Sequence, residues 1–264
     1  MKKTTAAGAL ALGLTMITGA ALSGCSTEEV SDGKAEHRSF AFTGKRLTVD
    51  SGDSKVEVVP VRTGGKGGKA GSERKAEVTR WFKASKVKGT AKVSWTMEGN
   101  TLRLKTTCSG IIVDCETRHR IEVPDDTAVT VRSRDGNVVA NGFRAELSIR
   151  TTDGNVNVSD ARAPLTIRTT DGNVRAERLR SPSVSADTRD GYLILGFSRP
   201  PSSVRTGSHD GSTTVTAPRT PYDISTNAKD GSVKVSLPRD KASDRAIDAS
   251  SHDGDITLRA SEAS

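Results

Sequence analysis

Asp-Gly occurs seven times in the second half of this chain, at Asp135-Gly136, Asp153-Gly154, Asp171-Gly172, Asp190-Gly191, Asp210-Gly211, Asp230-Gly231 and Asp253-Gly254. Successive copies are 18, 18, 19, 20, 20 and 23 residues apart. So regular a period restricts the chain to repeat architectures, in which each unit buries its apolar face against its neighbours. Counted from each Asp, positions −6, −4, −2, +3 and +5 are small or apolar. The second copy shows Leu147, Ile149, Thr151, Val156 and Val158, and the seventh Ile247, Ala249, Ser251, Ile256 and Leu258. Alternation of this kind on both sides of a corner describes two strands with one buried face each. A degenerate eighth copy lies around Asp53, with Leu47, Val49, Ser51, Val56 and Val58 at the same offsets and Ser54 in place of Gly. No segment carries a helical stripe, so the fold class is all-β.

Two geometries satisfy the pattern. Asp-Gly suits a two-residue hairpin turn, because Gly accepts positive φ, and would then give stacked antiparallel hairpins. It equally suits the corner of a β-solenoid, a parallel β-helix-like array of about seven to eight coils of 18 to 20 residues, each stacked on the next. The constant step and the in-register Asn137, Asn155 and Asn173 favour the solenoid, since stacked coils can form side-chain amide ladders. The core must be aliphatic: the chain has 33% hydrophobic residues but only 2 Trp, 2 Tyr and 5 Phe. So few aromatics also leave little for stacking single-stranded nucleic acid or sugar rings.

At the N-terminus, Lys2 and Lys3 precede a run without charge up to Glu28, and Ala9 to Leu22 is mostly Ala, Leu, Gly, Met and Ile. Residues 1–24 therefore read as a secretory signal peptide. Leu22-Ser23-Gly24-Cys25 resembles a bacterial lipobox, which implies lipidation of Cys25, with palmitate-type acyl chains holding the mature chain to the extracytoplasmic face of the cell membrane. An ordinary signal peptide with a chance Cys, or an uncleaved anchor helix, is the other reading. Residues 25–39 are polar and read as the lipidated Cys and a flexible tether. Residues 40–123 form an N-terminal β region interrupted by the Gly-rich stretch Thr63 to Ser72, and residues 124–264 the Asp-Gly repeat region. Exposed end coils need covering, and the strands before Pro124 are candidates for a cap. Cys108 and Cys115 remain after Cys25 is assigned, and outside the cytoplasm their simplest state is a disulfide.

The array of strand, [Ser/Thr]-x-Asp-Gly-[Asn/Ser/Asp]-Val, strand, led by Arg120-Ile121-Glu122-Val123-Pro124, resembles a bacterial putative-adhesin β-strand-repeat family of unknown function that is common in secreted and lipid-anchored proteins. The resemblance runs from about Leu47 to Leu258. It implies a β-solenoid-like fold and brings no catalytic residue with it.

Three candidate sites arise from the residues themselves. Ser208-His209-Asp210 and Ser251-His252-Asp253 mimic a nucleophile-base-acid set, but the His position is filled by Arg134, Thr152, Thr170, Arg189 and Lys229 in other copies. Adjacent strand residues also face opposite ways. The seven corner Asp residues suggest a calcium ladder, yet calcium β-rolls repeat every nine residues, and turn chemistry alone explains these acids. Arg132, Arg150 and Arg168, each at −3, would stand about 4.8 Å apart on the outer face of stacked coils. Such a row repels itself unless counter-charges or a bound anion screen it. Nearby acids such as Asp135, Asp153 and Asp171 could neutralise it. Alternatively it grips an anionic envelope polymer, a wall teichoic acid, an acidic glycan or a lipid headgroup, through guanidinium geometry. The formal net charge of +8 agrees with the second account.

The expectation is a lipid-anchored, non-enzymatic surface module for adhesion or scaffolding, with no catalytic, cofactor or metal site. Its partners are the membrane, an anionic wall polymer or another envelope protein, and export makes nucleic acid an unsuitable one. A surface polysaccharide-acting enzyme on a β-helix and an envelope-stress signalling partner are the alternatives.

Overall fold

A computed structural model describes residues 28–31, 34–62 and 74–261. The signal-peptide segment, Cys25 and the Gly-rich stretch lie outside the described residues. Among the described residues all twenty elements are β-strands. Among the described residues, no helix is long and apolar enough to cross a membrane.

Two stacks of parallel strands make the body. The first contains β3 (Arg46–Ser51), β7 (Ala128–Ser133), β9 (Leu147–Arg150), β11 (Leu165–Arg168), β13 (Ser183–Asp187), β15 (Ser203–Ser208), β17 (Asp223–Ala228) and β19 (Ala246–Ser251). The second contains β4 (Lys55–Val61), β8 (Val138–Asn141), β10 (Val156–Ser159), β12 (Val174–Leu179), β14 (Leu193–Phe197), β16 (Thr213–Ala217), β18 (Val233–Val235) and β20 (Ile256–Ala260). Each coil contributes one strand to each stack, so the array is a β-solenoid and the antiparallel-hairpin geometry is excluded. Register is in phase with the repeat: Leu147 lies beside Val129 and Leu165, and Val156 beside Val138 and Val174. Inward residues such as Leu147, Ile149, Leu165, Ile167, Leu193 and Leu195 are fully buried in one aliphatic core. The degenerate copy around Asp53 is a true coil, formed by β3 and β4.

The corners show why six of the seven copies have Ser or Thr at −2, Ala228 being the exception, and why all have Gly at +1. The hydroxyls of Thr151, Thr169, Thr188, Ser208 and Ser251 each accept the N–H of the corner Gly three residues on, at 2.9–3.2 Å. That pairing satisfies a donor that the turn would otherwise strand in the interior. The corner glycines are not at positive φ. They are required by close approach: a Cβ on Gly154, Gly172 or Gly191 would sit 2.1–2.2 Å from the carbonyl oxygen of the preceding coil's Gly. The asparagine ladder runs beside them, with Asn137 and Asn155 Oδ1 accepting the backbone N–H of Asn155 and Asn173 at 3.0 Å. The opposite corner takes a left-handed residue on successive coils, at Gly142, Asp160 and Arg178 (φ 79°, 56° and 53°). Arg178 holds Asp160 there at 2.8 Å.

Coils do not all stack in chain order. β19 pairs with both β15 and β17, and β20 with both β16 and β18. The last pair of strands is therefore inserted between the sixth Asp-Gly coil's predecessor and that coil itself. The longest step, 23 residues from Asp230 to Asp253, lies on this excursion. The insertion buries the more apolar coil: Ile247, Ile256 and Leu258 are fully buried, whereas Val233 on the outermost coil remains 41% exposed.

The other end is capped by antiparallel strands. β5 (Arg74–Glu98) and β6 (Thr101–Pro124) form a long hairpin, and β1 (Glu28–Ser31) and β2 (Glu36–Phe42) pair with β5. The stretch expected to be a flexible tether up to residue 39 thus contains β1 and most of β2. Antiparallel pairing with β5 and burial of Phe40 and Phe42 order it. β6 serves both stacks, since Thr101 to Leu104 flank β3 and Arg118 to Pro124 flank β4. Between these points β6 pairs only with β5 among the described strands. The Cys108–Cys115 disulfide and a 2.9 Å hydrogen bond between Thr106 and Thr117 hydroxyls each join two parts of β6 itself.

Candidate anion-binding face

Parallel register brings the three expected arginines together. Arg132 lies beside Arg150 and Arg150 beside Arg168, all exposed on the outer face of the first stack. Acids close both ends of the row. Asp50, beside Arg132, is held by Arg103 at 3.2 Å, and Arg168 meets Asp187 of the next coil at 3.5 Å. Among the described residues Arg132 and Arg150 have no ion pair, so Asp135, Asp153 and Asp171 do not neutralise them.

A second set of arginines occupies the opposite corner. Arg144, Arg162, Arg180, Arg199, Arg219 and Arg239 each stand nine residues after a repeat Asp and are exposed. Backbone bonds from Arg162 N–H to Phe143 O and from Arg180 N–H to Ala161 O, both 2.8 Å, stack the first three directly. Among the described residues none of the six side chains forms an ion pair. The constant +9 offset was legible, but it falls in a corner without apolar alternation, where sequence alone does not establish stacking. The first stack's outer face is thus bordered by two guanidinium columns, with the hydroxyls of Thr130, Ser148 and Thr166 between them.

The apparent catalytic sets do not assemble. Ser208 and Ser251 direct their hydroxyls to the corner glycines at 2.9 Å, while His209 and His252 lie outside, each with Nδ1 on the following Asp at 2.6 and 2.7 Å. His37 belongs to β2 and meets the Thr79 hydroxyl at 2.9 Å. His119 lies within β6, buried beneath Trp95, with Nδ1 3.2 Å from the Ser54 hydroxyl.

Burial pushes the His119 imidazole down to about 4, and the nearby Arg80 guanidinium adds to the shift. The unfolded chain, near 6.5, binds the extra proton over the window from about pH 4 to 6.5, so stability falls as the pH drops through it. The full difference amounts to roughly 3 kcal/mol. Denaturant titrations from pH 7 to 4 should show this loss, and His119→Gln should flatten the slope; an unchanged slope would assign the loss to other groups.

A family model described as Toastrack DUF4097 matches residues 45–264. The chain belongs to the Toastrack family. The match begins beside β3 and takes in the whole Toastrack solenoid, including the cap hairpin and the inserted last coil. No curated protein matches the chain. Among solved structures, a putative adhesin from Bacteroides fragilis covers 86% of this Toastrack chain and 97% of its own, at 14% identity and a TM-score of 0.49. A putative lipid binding protein from Parabacteroides distasonis covers 88% and 98%, at 11% and 0.43. A putative adhesin from Parabacteroides merdae covers 88% and 98%, at 11% and 0.36. These are distant likenesses and say nothing of this chain's own ligand.

Proposed function

We propose that this Toastrack chain is a lipid-anchored surface module, attached through Cys25, that holds an anionic envelope polymer along the outer face of its first stack without catalysing a reaction. The observation that carries the reading is the pair of exposed arginine columns whose central members have no carboxylate partner among the described residues. Guanidinium groups spaced by the coil rise match a polymer bearing phosphate or carboxylate at regular intervals. Multiple weak contacts along such a chain add up to useful affinity, although each exposed ion pair contributes at most about 1 kcal/mol.

Sedimentation of residues 26–264 with isolated cell envelopes across a salt series tests this. Binding should fall as salt rises. Replacing Arg132, Arg150 and Arg168 by Gln should weaken it about tenfold, as should Gln at 144, 162 and 180. Equal binding by parent and both variants would refute the reading.

A further inference from the structure

The inserted last coil makes neighbours of two histidines that the chain separates by 43 positions. His209 and His252 stack with ring centroids 4.6 Å apart and planes 5° from parallel. Each Nδ1 faces a carboxylate, Asp210 at 2.6 Å and Asp253 at 2.7 Å. A carboxylate only accepts, so Nδ1 carries a hydrogen, and in the neutral imidazole this leaves the lone pair on Nε2. This is the arrangement in which a carboxylate orients a metal-ligating imidazole and raises its basicity. The Lys229 ammonium of the outermost coil confirms the polarity at His252, donating to Nε2 at 3.0 Å. Ligand atoms of His209, His252 and Asp253 lie within 4.8 Å of one another, the only such grouping among the described residues.

We propose that the Nε2 atoms of His209 and His252 bind a divalent transition-metal ion of the zinc, nickel or copper class on the outer corner of the last coils, with water completing its shell and Asp210 and Asp253 orienting the two rings from Nδ1. Imidazole nitrogen selects this class over calcium or magnesium. Two nitrogens about 2.1 Å from one ion at the tetrahedral angle are about 3.4 Å apart, which the exposed rings reach by tilting together. Lys229 supplies a cation to the same lone pair and must swing away for the ion to enter. The ion would tie β15 and β16 to the inserted β19 and β20, stapling the coil order at the C-terminal end.

Calorimetric titration of the full chain with NiCl2 and with ZnCl2 tests the site. The parent should bind one equivalent that His209→Ala and His252→Ala each weaken at least tenfold and that the double variant lacks. Asp253→Asn should weaken it about tenfold. Lys229→Ala should bind several-fold more tightly, which a merely structural role for the histidines would not produce. Saturating NiCl2 should raise the melting temperature of the parent but not of the double variant, with unfolding in EDTA checking that the variants fold. No binding up to millimolar metal, or an undiminished equivalent in the double variant, would overturn the proposal.

Discussion

Gly172→Ala should destabilise the protein by about 3 kcal/mol or more, whereas Gly52→Ala should change stability by less than about 0.5 kcal/mol. A Cβ at residue 172 would lie 2.1 Å from the Gly154 carbonyl oxygen and 2.7 Å from the Thr169 hydroxyl oxygen that accepts the Gly172 N–H. The first neighbour is backbone, fixed by the ladder on both sides, so relief requires neighbouring coils to part along a corner. Gly52, at the same kind of corner in the degenerate copy, has open space around it and no positive φ. Thermal melts should separate the two variants by roughly 6–12 °C for a domain of this size. Equal melting temperatures would mean that the corner spacing is soft and that the repeated Gly has another origin.

Removing residues 244–264 should unravel more than it deletes. β17 and β18 pair only with β19 and β20 among the described strands, so the deletion leaves the Asp230 coil without a neighbour. It also removes Ile247, Ile256 and Leu258, each worth roughly 1.5–3 kcal/mol of burial. Limited proteolysis of the shortened chain should cut within residues 219–243 while the coils from β3 to β16 resist. A solenoid stacked strictly in chain order predicts the opposite, an intact coil over residues 223–235. Protection of that segment would show that it can re-dock on β15 and β16, and that the insertion contributes little to holding it.

Coil geometry and coil order thus differ in how far local sequence specifies them. The Asp-Gly period, the inward positions at −6, −4, −2, +3 and +5, and the outward phase of Arg132, Arg150 and Arg168 follow from local rules. Strand alternation assigns faces, and an in-register stack carries equivalent positions into columns. The degenerate coil at Asp53 is legible in the same way, and the Cys108–Cys115 pair from the cysteine count and the export signal. The role of the corner Gly is not, because a turn preference for positive φ and a steric demand from the next coil leave the same letter in the sequence.

The remaining features depend on contacts between distant segments. Only antiparallel pairing with β5 turns the polar stretch from residue 36 into strand. Only the path of β6 shows one strand closing both stacks at the cap. Burial under Trp95 gives His119 its depressed basicity, which nothing near it in the chain foretells. The order of the last coils is the clearest case: each repeat carries the same corner and a similar apolar pattern, so either could accept the other's place. Burial of the more apolar coil inside the array distinguishes them, and that choice sets His252 on His209 with Lys229 outside. Local periodicity determined the coil and its faces, while competition among near-equivalent coils for buried area, a long-range quantity, determined which of them touch.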